Sequence, residues 1–472
     1  MGILGGDRTY DLVVVGAGPV GENVAARARR GGLSVCMVES RLVGGECSYF
    51  ACIPTKAMLR PVHAVAASAR VQGLTPASLV ARGVLDRRDS FTGRGDDSGQ
   101  VQWLKSEGID LFRGHGRISG PRQVTVETAD GQVPLTANHA VAVAVGSSAA
   151  VPPIEGLADV RPWTNVEAAS AEQVPGRLLV LGGGVVACEF AQAYAGLGSA
   201  VTLVARSRRL LGRLEEFAAD LVADGLQEAG VDVRTDKRVT AIRRDDTGEV
   251  VATLSDRSTV TADEVLVALG RRPNTADLGL ETVGIEPGDY LHVDETMRVP
   301  EADGGWLYAV GDVNGRNLLT HMGKYQARAA GDVIAARANA EPDDAPGMTA
   351  WADHTVPTQV IFTDPEVCMA GMTQGMAERN GLEVRSIEIP LAGVAGASLH
   401  ADGYTGTAHV VIDEYRHVVV GATFVGQDVA ELLHSATVAI AGEVPLERLW
   451  HAVPPFPTIS EVWLRVLEAY GI

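Results

Sequence analysis

The amino-acid sequence predicts an α/β protein that contains the same parallel βαβ unit twice and ends in an α+β domain. The first unit reads as a β-branched strand at 11–15, a glycine-rich turn, an alanine-rich helix at 22–30 and a second strand at 33–38. Apolar strands buried on both faces are typical of a parallel sheet covered by helices. Towards the C-terminus, strands such as 408–412 and 418–425 alternate with helices, which is the pattern of an α+β domain.

The second copy of the unit follows the first at a constant offset of 166 residues, the difference between 182 and 16. The matched turn positions are Gly16, Gly18 and Gly21 in the first copy and Gly182, Gly184 and Ala187 in the second. In such a turn the glycines let the backbone approach a pyrophosphate, and the helix N-terminus supplies N–H donors. A repeat that keeps turn, helix and strand in register therefore predicts two dinucleotide sites.

The residue that closes each unit predicts which dinucleotide it binds. Glu39 closes the first unit, where an acid accepts hydrogen bonds from ribose hydroxyls. In the second unit this position is Ala205, and arginines follow at Arg206, Arg208, Arg209 and Arg213. Guanidinium groups bind a 2′-phosphate, so the second site is predicted to prefer NADPH, with NADH possible. Alternatively, these arginines pair with Glu215 and Glu216 on a solvated surface.

Composition excludes several classes of protein. With 40 basic and 59 acidic residues the net charge is −19, which repels nucleic acid and anionic membranes. No stretch approaches the roughly 18 to 20 apolar residues of a membrane span, and residues 1–9 are too short and polar for a signal peptide. Five cysteines, an odd number, do not form a secreted disulfide framework. We therefore expect a cytoplasmic protein that binds neither membranes nor nucleic acid.

Three segments rich in small residues, glycine or proline are candidate boundaries, namely 142–153, 265–274 and 341–347. They divide the chain into 1–153, 154–274, 275–345 and 346–472. The first and third parts are expected to form one domain, the second part another, and the last part the α+β domain.

Two cysteines lie close together in the segment Gly44–Lys56, GGECSYFACIPTK. If the chain is helical from residue 48, the sulfurs of Cys47 and Cys52 are near enough to bridge with some distortion, and a helix N-terminus favours the thiolate. Zinc is the alternative, but no further Cys-x-x-Cys or Cys-x-x-His lies nearby, so no metal site is predicted. An inert buried pair is the third possibility. The remaining cysteines, Cys36, Cys188 and Cys368, are expected in the core.

These motifs together resemble the class I pyridine nucleotide–disulfide oxidoreductases, the family of dihydrolipoamide dehydrogenase, glutathione reductase and mercuric reductase. GGECSYFACIPTK resembles the redox helix, GAGPVG with Glu39 the FAD site, and GGGVVACEFA the pyridine nucleotide site. LYAVGDV and VIFTDPEV are similar to the FAD ribityl motif and the start of the dimerisation domain. The resemblance implies two Rossmann-like domains for FAD and NAD(P), a C-terminal α+β dimerisation domain, and a homodimer whose partner subunit completes each active site.

The resemblance also implies roles for individual residues. Cys52 is expected to face the flavin and Cys47 to meet a small-molecule acceptor, while Lys56 and Glu189 correspond to the pair beside the flavin N5 and the nicotinamide. The further positions expected to contact the cofactors are Gly45, Gly116, Ser147, Gly270, Asp312 and His321. Electrons would then pass from NADPH through the flavin to the cysteine pair and on to the acceptor.

The C-terminal segment departs from the family pattern. Family members that exchange thiols have a histidine before Pro-Thr-x-x-Glu as their acid–base group, whereas this chain has Phe456 and keeps Glu461. Phenylalanine transfers no proton, so a contribution of roughly 10²- to 10⁴-fold would be missing. His451 is a substitute if it swings in.

Whether the enzyme needs a histidine at position 456 depends on the chemistry of its acceptor. A quinone or metal ion needs no proton relay, and a carboxylase-like relative that cleaves a C–C bond also has a hydrophobic residue there. A non-catalytic redox sensor would not need Lys56, Glu189 and both cysteines. The leading hypothesis is a reductase of disulfides or thiol-reactive acceptors, and the alternatives are a quinone or metal reductase and the carboxylase-like enzyme.

Overall fold

The computed structural model describes residues 8–472. Its residues form two compact units, and each unit collects separate stretches of the chain. The first unit consists of the described part of Met1–Ile53 with Thr92–Ser148 and Arg271–Asp353. The second unit consists of Pro54–Phe91, Ala149–Gly270 and His354–Ile472.

The helices of the described residues are mostly short. In chain order they are α1 Pro19–Arg30, α2 Gly45–Tyr49, α3 Cys52–Ser68, α4 Ala81–Thr92, α5 Ser98–Ser106, α6 Asn165–Ser170, α7 Val185–Gly196, α8 Glu216–Glu228, α9 Thr320–Ala338, α10 Ala352–Thr355, α11 Gln374–Arg379, α12 Ala395–His400, α13 Leu433–Ala441, α14 Leu446–Leu449 and α15 Val462–Tyr470. Within residues 8–472, none of these helices combines the length and the apolar character that crossing a bilayer requires.

The strands found within residues 8–472 belong to five sheets. In chain order they are β1 Thr9–Val15, β2 Val35–Glu39, β3 Asp110–Arg113, β4 His115–Gly120, β5 Gln123–Thr128, β6 Gly131–Val143, β7 Ser147–Ala149, β8 Arg177–Leu181, β9 Ala200–Val204, β10 Asp232–Arg234, β11 Val239–Arg244, β12 Val250–Leu254, β13 Thr259–Ala262, β14 Glu264–Val267, β15 Arg271–Pro273, β16 Leu307–Ala309, β17 Thr358–Ile361, β18 Glu366–Gly371, β19 Val384–Pro390, β20 Thr407–Asp413 and β21 Val418–Gly426.

The first unit is built on a sheet of order β3-β2-β1-β6-β5-β4, with β16 also paired to β6. Strands β3, β2, β1, β6 and β16 run parallel, while β4, β5 and β6 form an antiparallel meander. Helices α1 and α9 pack on the face lined by Leu12, Val14 and Met37. Residues Val13, Val15 and Cys36 line the opposite face, so the strands are apolar throughout, as a two-sided parallel sheet requires.

The second unit contains the second βαβ copy, in a parallel sheet of order β10-β9-β8-β14. Two antiparallel sheets complete it, β11-β12-β13 and the C-terminal β17-β18-β21-β20-β19. Helices α1 and α7 begin at Pro19 and Val185 and end at Arg30 and Gly196, so both ends keep the 166-residue offset. The predicted repeat and the predicted α+β C-terminal segment are both confirmed.

Candidate active site

The first glycine turn joins β1 to α1 and leaves room for a pyrophosphate. Gly16 has φ +102°, and a Cβ there would lie 2.4 Å from the Ala144 carbonyl oxygen, so no side chain fits. At Gly18 the only neighbour that a Cβ would meet within 4 Å among the described residues is the Gly45 Cα, at 3.9 Å. Gly18 caps α1, and no side chain of the described residues satisfies the first N–H groups of the helix. These donors fit an anion such as the FAD pyrophosphate.

The second turn repeats this arrangement between β8 and α7. Gly182 approaches the Ala268 carbonyl oxygen, which a Cβ would meet at 2.2 Å, and Gly184 would carry a Cβ into open space. Gly184 caps α7, again without a side-chain hydrogen bond from the described residues. Ala187 is buried in the first turn of that helix. The chain thus presents two helix N-termini that fit dinucleotides.

Different groups follow the two turns. Glu39, at the end of β2, accepts hydrogen bonds from the Ala17 N–H at 2.8 Å and the Arg41 N–H at 2.7 Å, which fixes its carboxylate beside the first turn. After β9, Arg209 pairs with Asp220 and Glu216 at 2.9 Å and 2.8 Å. Arg206 and Arg208 are exposed and form no ion pair with any other described residue. The surface-pairing alternative therefore holds for Arg209 alone.

A partly buried carboxyl group lies shortly after β16 in the first unit. Burial raises the pKa of Asp312, while the Ser147 hydroxyl and the Arg271 guanidinium oppose this rise. The Ser147 Oγ donates to the Asp312 Oδ2 at 2.6 Å, and the Arg271 Nε donates to the same Ser147 Oγ, also at 2.6 Å. Arg271 also binds the Glu46 carboxylate at 2.7 Å, which ties α2 to Asp312. A partly buried acid held beside a hydroxyl fits the hydroxyl groups of an FAD ribityl chain.

The remaining predicted cofactor positions lie in both units. Gly45 begins α2 with φ +60°, and a Cβ there would lie 2.8 Å from the Gly18 Cα. Gly116 is buried on β4, and His321 is an exposed residue in the first turn of α9. Gly270, in the second unit, has φ +125° and accepts a hydrogen bond from the Ala150 N–H.

The two cysteines lie on different helices, which corrects the expected single helix from residue 48. Cys47 is in the middle of α2, the chain leaves helical geometry at Phe50 (φ −135°, ψ 4°), and Cys52 starts α3. An unbroken helix would place residues five apart on different faces, so the break lets the two thiols meet. Both cysteines are in the reduced thiol form and partly exposed, and the Cys52 Sγ lies 3.4 Å from the Thr320 Oγ1 at the start of α9.

The pKa of Cys47 also differs from the expectation of a stabilised thiolate. The thiol of Cys52 and burial both raise the pKa of Cys47, and Thr320 and Lys324 only partly oppose them. The physical reason is that two neighbouring thiols disfavour a second negative charge. Cys36, Cys188 and Cys368 are fully buried, in agreement with their predicted place in the core.

Lys56 and Glu189 form an ion pair in the second unit. The Lys56 Nζ lies 2.6 Å from the Glu189 Oε2, and the Glu189 side chain is only 4% exposed. The other carboxylate oxygen accepts a hydrogen bond from the Phe362 N–H at 3.0 Å, and the Lys56 ammonium lies 5.0 Å from the centre of the Phe362 ring. The structure thus brings together the two charged residues that the resemblance paired.

The C-terminal segment exposes Phe456 and buries Glu461. The Phe456 ring is 75% exposed and His451 is also exposed, whereas Glu461 is 6% exposed. Glu461 binds Arg465 through Oε1, and its Oε2 has no hydrogen-bond partner among residues 8–472. A buried carboxylate oxygen without a donor is unusual. It marks the acceptor that a histidine in the family pattern would use.

Sequence reasoning missed Thr320, Lys324, Arg271, Glu46 and Phe362. Glu46 and Phe362 lie inside motifs of the family pattern and Arg271 lies in the boundary segment 265–274, so only their partners were unknown. Thr320 and Lys324 begin α9, and no local pattern indicates that they face cysteines more than 260 residues earlier. No group of three or more His, Cys, Asp or Glu side chains in the described part of the chain is arranged to hold a metal ion.

Comparisons with known proteins agree with the fold described above. The model of the family described as pyridine nucleotide-disulphide oxidoreductase matches residues 10–332, and the model of its dimerisation domain matches residues 357–466. A dihydrolipoyl dehydrogenase of Thermus scotoductus is 32% identical over 477 residues, covering 98% of this chain and 97% of the relative. A mercuric reductase of Staphylococcus aureus is 28% identical, covering 96% and 81%. The fold matches the flavoprotein disulfide reductase RclA of Escherichia coli, solved as a Cu(II) complex, with a TM-score of 0.84, 22% identity and coverage of 98% and 99%.

Proposed function

Because the chain belongs to the pyridine nucleotide-disulphide oxidoreductase family, we propose that it passes electrons from NADPH through Cys47 and Cys52 to a disulfide or another thiol-reactive acceptor. Membership makes it an FAD-dependent oxidoreductase that uses a pyridine nucleotide and carries the family's dimerisation domain. The observation that carries the proposal is the cysteine pair itself, two reduced thiols brought together by the break between α2 and α3 beside the start of α9.

Different residues of the chain would hold the cofactors and react with the acceptor. The chemistry that bound FAD would supply is acceptance of a hydride from the pyridine nucleotide and transfer of two electrons. Gly18 and Glu39 would hold its pyrophosphate and ribose, and Asp312 its ribityl chain. Lys56 and Glu189 would orient the nicotinamide. Cys47, as a thiolate, would attack one sulfur of an acceptor disulfide, break its S–S bond and release the other half as a thiolate. Cys52 would then attack the Cys47 sulfur of the mixed disulfide, which releases the second half and forms the Cys47–Cys52 disulfide. In a homodimer, the partner subunit would contribute its C-terminal segment to the site.

The proposal is tested by anaerobic titration of the purified enzyme with NADPH and, separately, with NADH. We expect NADPH to reduce the cysteine pair, seen as two new titratable thiols and a long-wavelength thiolate–flavin absorption band. The absence of both signals with either nucleotide would contradict electron transfer through the cysteines.

The nucleotide preference gives a first prediction. The double variant Arg206→Glu, Arg208→Glu is expected to raise the KM for NADPH about 100-fold, because it replaces charge-assisted hydrogen bonds with repulsion. The KM for NADH should change little. Arg209→Gln is the matched control, since Arg209 is already paired with Glu216 and Asp220. Steady-state kinetics with both nucleotides measure this, and equal losses for NADPH and NADH would refute the preference.

A second candidate function is the reduction of quinones or metal ions. The exposed Phe456 favours it, because these acceptors need no acid–base group, and one relative is a mercuric reductase. The carboxylase-like reaction has less support. The relative that carries it out also replaces the glutamate of this segment, whereas this chain retains Glu461.

Phe456→His tests whether a histidine at this position supplies the missing acid–base group. The unpartnered Oε2 of Glu461 would accept a hydrogen bond from the new imidazole, so we expect disulfide turnover to rise about 100-fold as general acid–base catalysis is restored. Phe456→Leu, which changes shape without adding a proton carrier, should leave turnover unchanged. If the histidine variant gains nothing, the wild-type enzyme already has another acid–base group for its acceptor, and His451 is the first residue to replace.

A further inference from the structure

Helices α1 and α9 of the first unit pack tightly through glycines. A Cβ at Gly323 would lie 2.6 Å from the Val20 Cγ2, and one at Gly31 would lie 2.4 Å from the Ala335 Cβ. Residue numbers rise in the same direction along both helices at these contacts, so the helices are parallel and their N-termini lie at the same end. Glu22 is in the first turn of α1, and Lys324 directly follows Gly323. The two side chains therefore lie near that shared end.

The cysteine pair lies at the same end. Gly45, at the start of α2, approaches Gly18, and the Cys52 Sγ contacts the Thr320 Oγ1. Lys324 is four residues after Thr320 on α9, and residues so spaced occupy the same face of a helix. The ammonium of Lys324 is consequently on the side of α9 that faces the thiols.

Glu22 is a partly buried acid to which the proposed reaction assigns no role. Its Oε1 is inaccessible and has no hydrogen-bond partner among residues 8–472. Burial raises the pKa of Glu22 to about 7, and Lys324 opposes the rise. Lys324 also lowers the pKa of Cys47, so the same ammonium group favours the ionised forms of both Glu22 and Cys47.

The remaining groups around these acids are few. Cys52 and Thr320 face Cys47. Tyr49, on α2, is close enough to Glu22 for the carboxylate to contribute to the raised pKa of the phenol. At neutral pH Tyr49 is uncharged, so Lys324 is the cation that links Glu22 to Cys47.

We propose that Lys324 is the counter-ion of the Cys47 thiolate and that Glu22 competes for the same ammonium, so that the protonation of Glu22 sets the reactivity of Cys47. This rests on the proposed role of Cys47. Below about pH 7, Glu22 is neutral and leaves the whole charge of Lys324 to the thiolate. Above that pH, ionised Glu22 shares the cation. Both residues act through Cys47 and are positioning residues.

The two residues should have opposite effects. Lys324→Met removes the cation, and we expect the rate of Cys47 alkylation at pH 7 to fall about tenfold, the effect of one pKa unit on the thiolate fraction. Lys324→Arg should restore it. Glu22→Gln removes the competitor, so the rate should rise up to about tenfold above pH 8, and the inflection near pH 7 should disappear from the pH profile.

The experiment uses the FAD-loaded enzyme, reduced with a phosphine, desalted anaerobically and treated with iodoacetamide from pH 5.5 to 9.5. Fragment mass spectrometry follows Cys47 separately from Cys52. Flavin absorbance and the Tm verify that each variant is folded. Arg328→Gln is the matched control, because Arg328 is an exposed cation one turn further along α9.

The proposal would be overturned if Lys324→Met kept the wild-type pH profile of Cys47 alkylation. It would also be overturned if Glu22→Gln changed the alkylation rate in the same direction as Lys324→Met. The reductant is chemical, so this result does not depend on NADPH. If NADPH fails to reduce the thiols while the opposite shifts are observed, the proposed function fails and the electrostatic coupling stands.

Discussion

Cys47→Ser is expected to lower disulfide turnover by about 10³-fold or more, because a serine oxygen forms no mixed disulfide with the acceptor and removes the nucleophile of the exchange. Reduction of the flavin by NADPH should continue at its wild-type rate, since that step does not involve Cys47. Stopped-flow reduction at 450 nm and steady-state assays with a disulfide panel measure the two steps separately.

The control for this change is Cys36→Ala, which removes a buried thiol on β2 away from the α2–α3 break. It should keep disulfide turnover. Quinone reduction by Cys47→Ser then decides between the candidate functions. If quinone turnover is retained while disulfide turnover is lost, quinones accept electrons without the cysteine pair. Disulfide turnover that survives in Cys47→Ser would remove the basis of the proposed function.

Lys56→Met should lower the free energy of unfolding by about 2 to 3 kcal/mol, because it leaves the buried carboxylate of Glu189 with the Phe362 N–H as its remaining donor among the described residues. The expected loss of unfolding free energy is at the lower end of the range for breaking a buried ion pair, because the Lys56 side chain is 34% exposed and solvent weakens its interaction with Glu189. The reductive half-reaction should slow as well if Lys56 and Glu189 orient the nicotinamide, as the proposed function requires. Denaturant unfolding and stopped-flow kinetics with NADPH measure the two effects.

Two further variants separate charge burial from general damage. Glu189→Gln removes the buried charge, and the double variant with Lys56→Met should recover part of the lost stability, which a double-mutant cycle quantifies. Lys237→Met breaks the surface pair with Asp256, whose side chains are 36% and 40% exposed, and should cost less than about 1 kcal/mol. Equal costs for Lys56→Met and Lys237→Met would contradict the importance of burial.

The elements that the sequence predicted well are those that a local pattern specifies. The glycine turns, the helices after them and the closing Glu39 follow from chain geometry, since a strand, a tight turn and a helix N-terminus require particular residues in order. The cysteine pair was predicted for the same reason. The interruption at Phe50 was not predicted, because the sequence there contains no proline or glycine, and the geometry depends on packing from other segments.

The contacts that tune the site could not be predicted, since they join distant parts of the chain. Arg271 reaches Glu46 across 225 residues, and Thr320 reaches Cys52 across 268. No periodicity encodes such pairs. Even local pairs needed the structure. The ion-pair partners of Arg209, Glu216 and Asp220, are near it in sequence, but the sequence does not show that Arg209 is paired. It also does not show that Arg206 and Arg208 form no ion pair within residues 8–472.

The interleaving of the two units has a consequence for synthesis on the ribosome. In the first unit, β16 pairs with β6 and α9 packs against α1, so this core stays open until residues beyond 338 have emerged. By then the whole second βαβ copy has already been made. Nascent chains released before that length would expose the apolar face around Leu12 and Val14, and would need chaperones or be degraded.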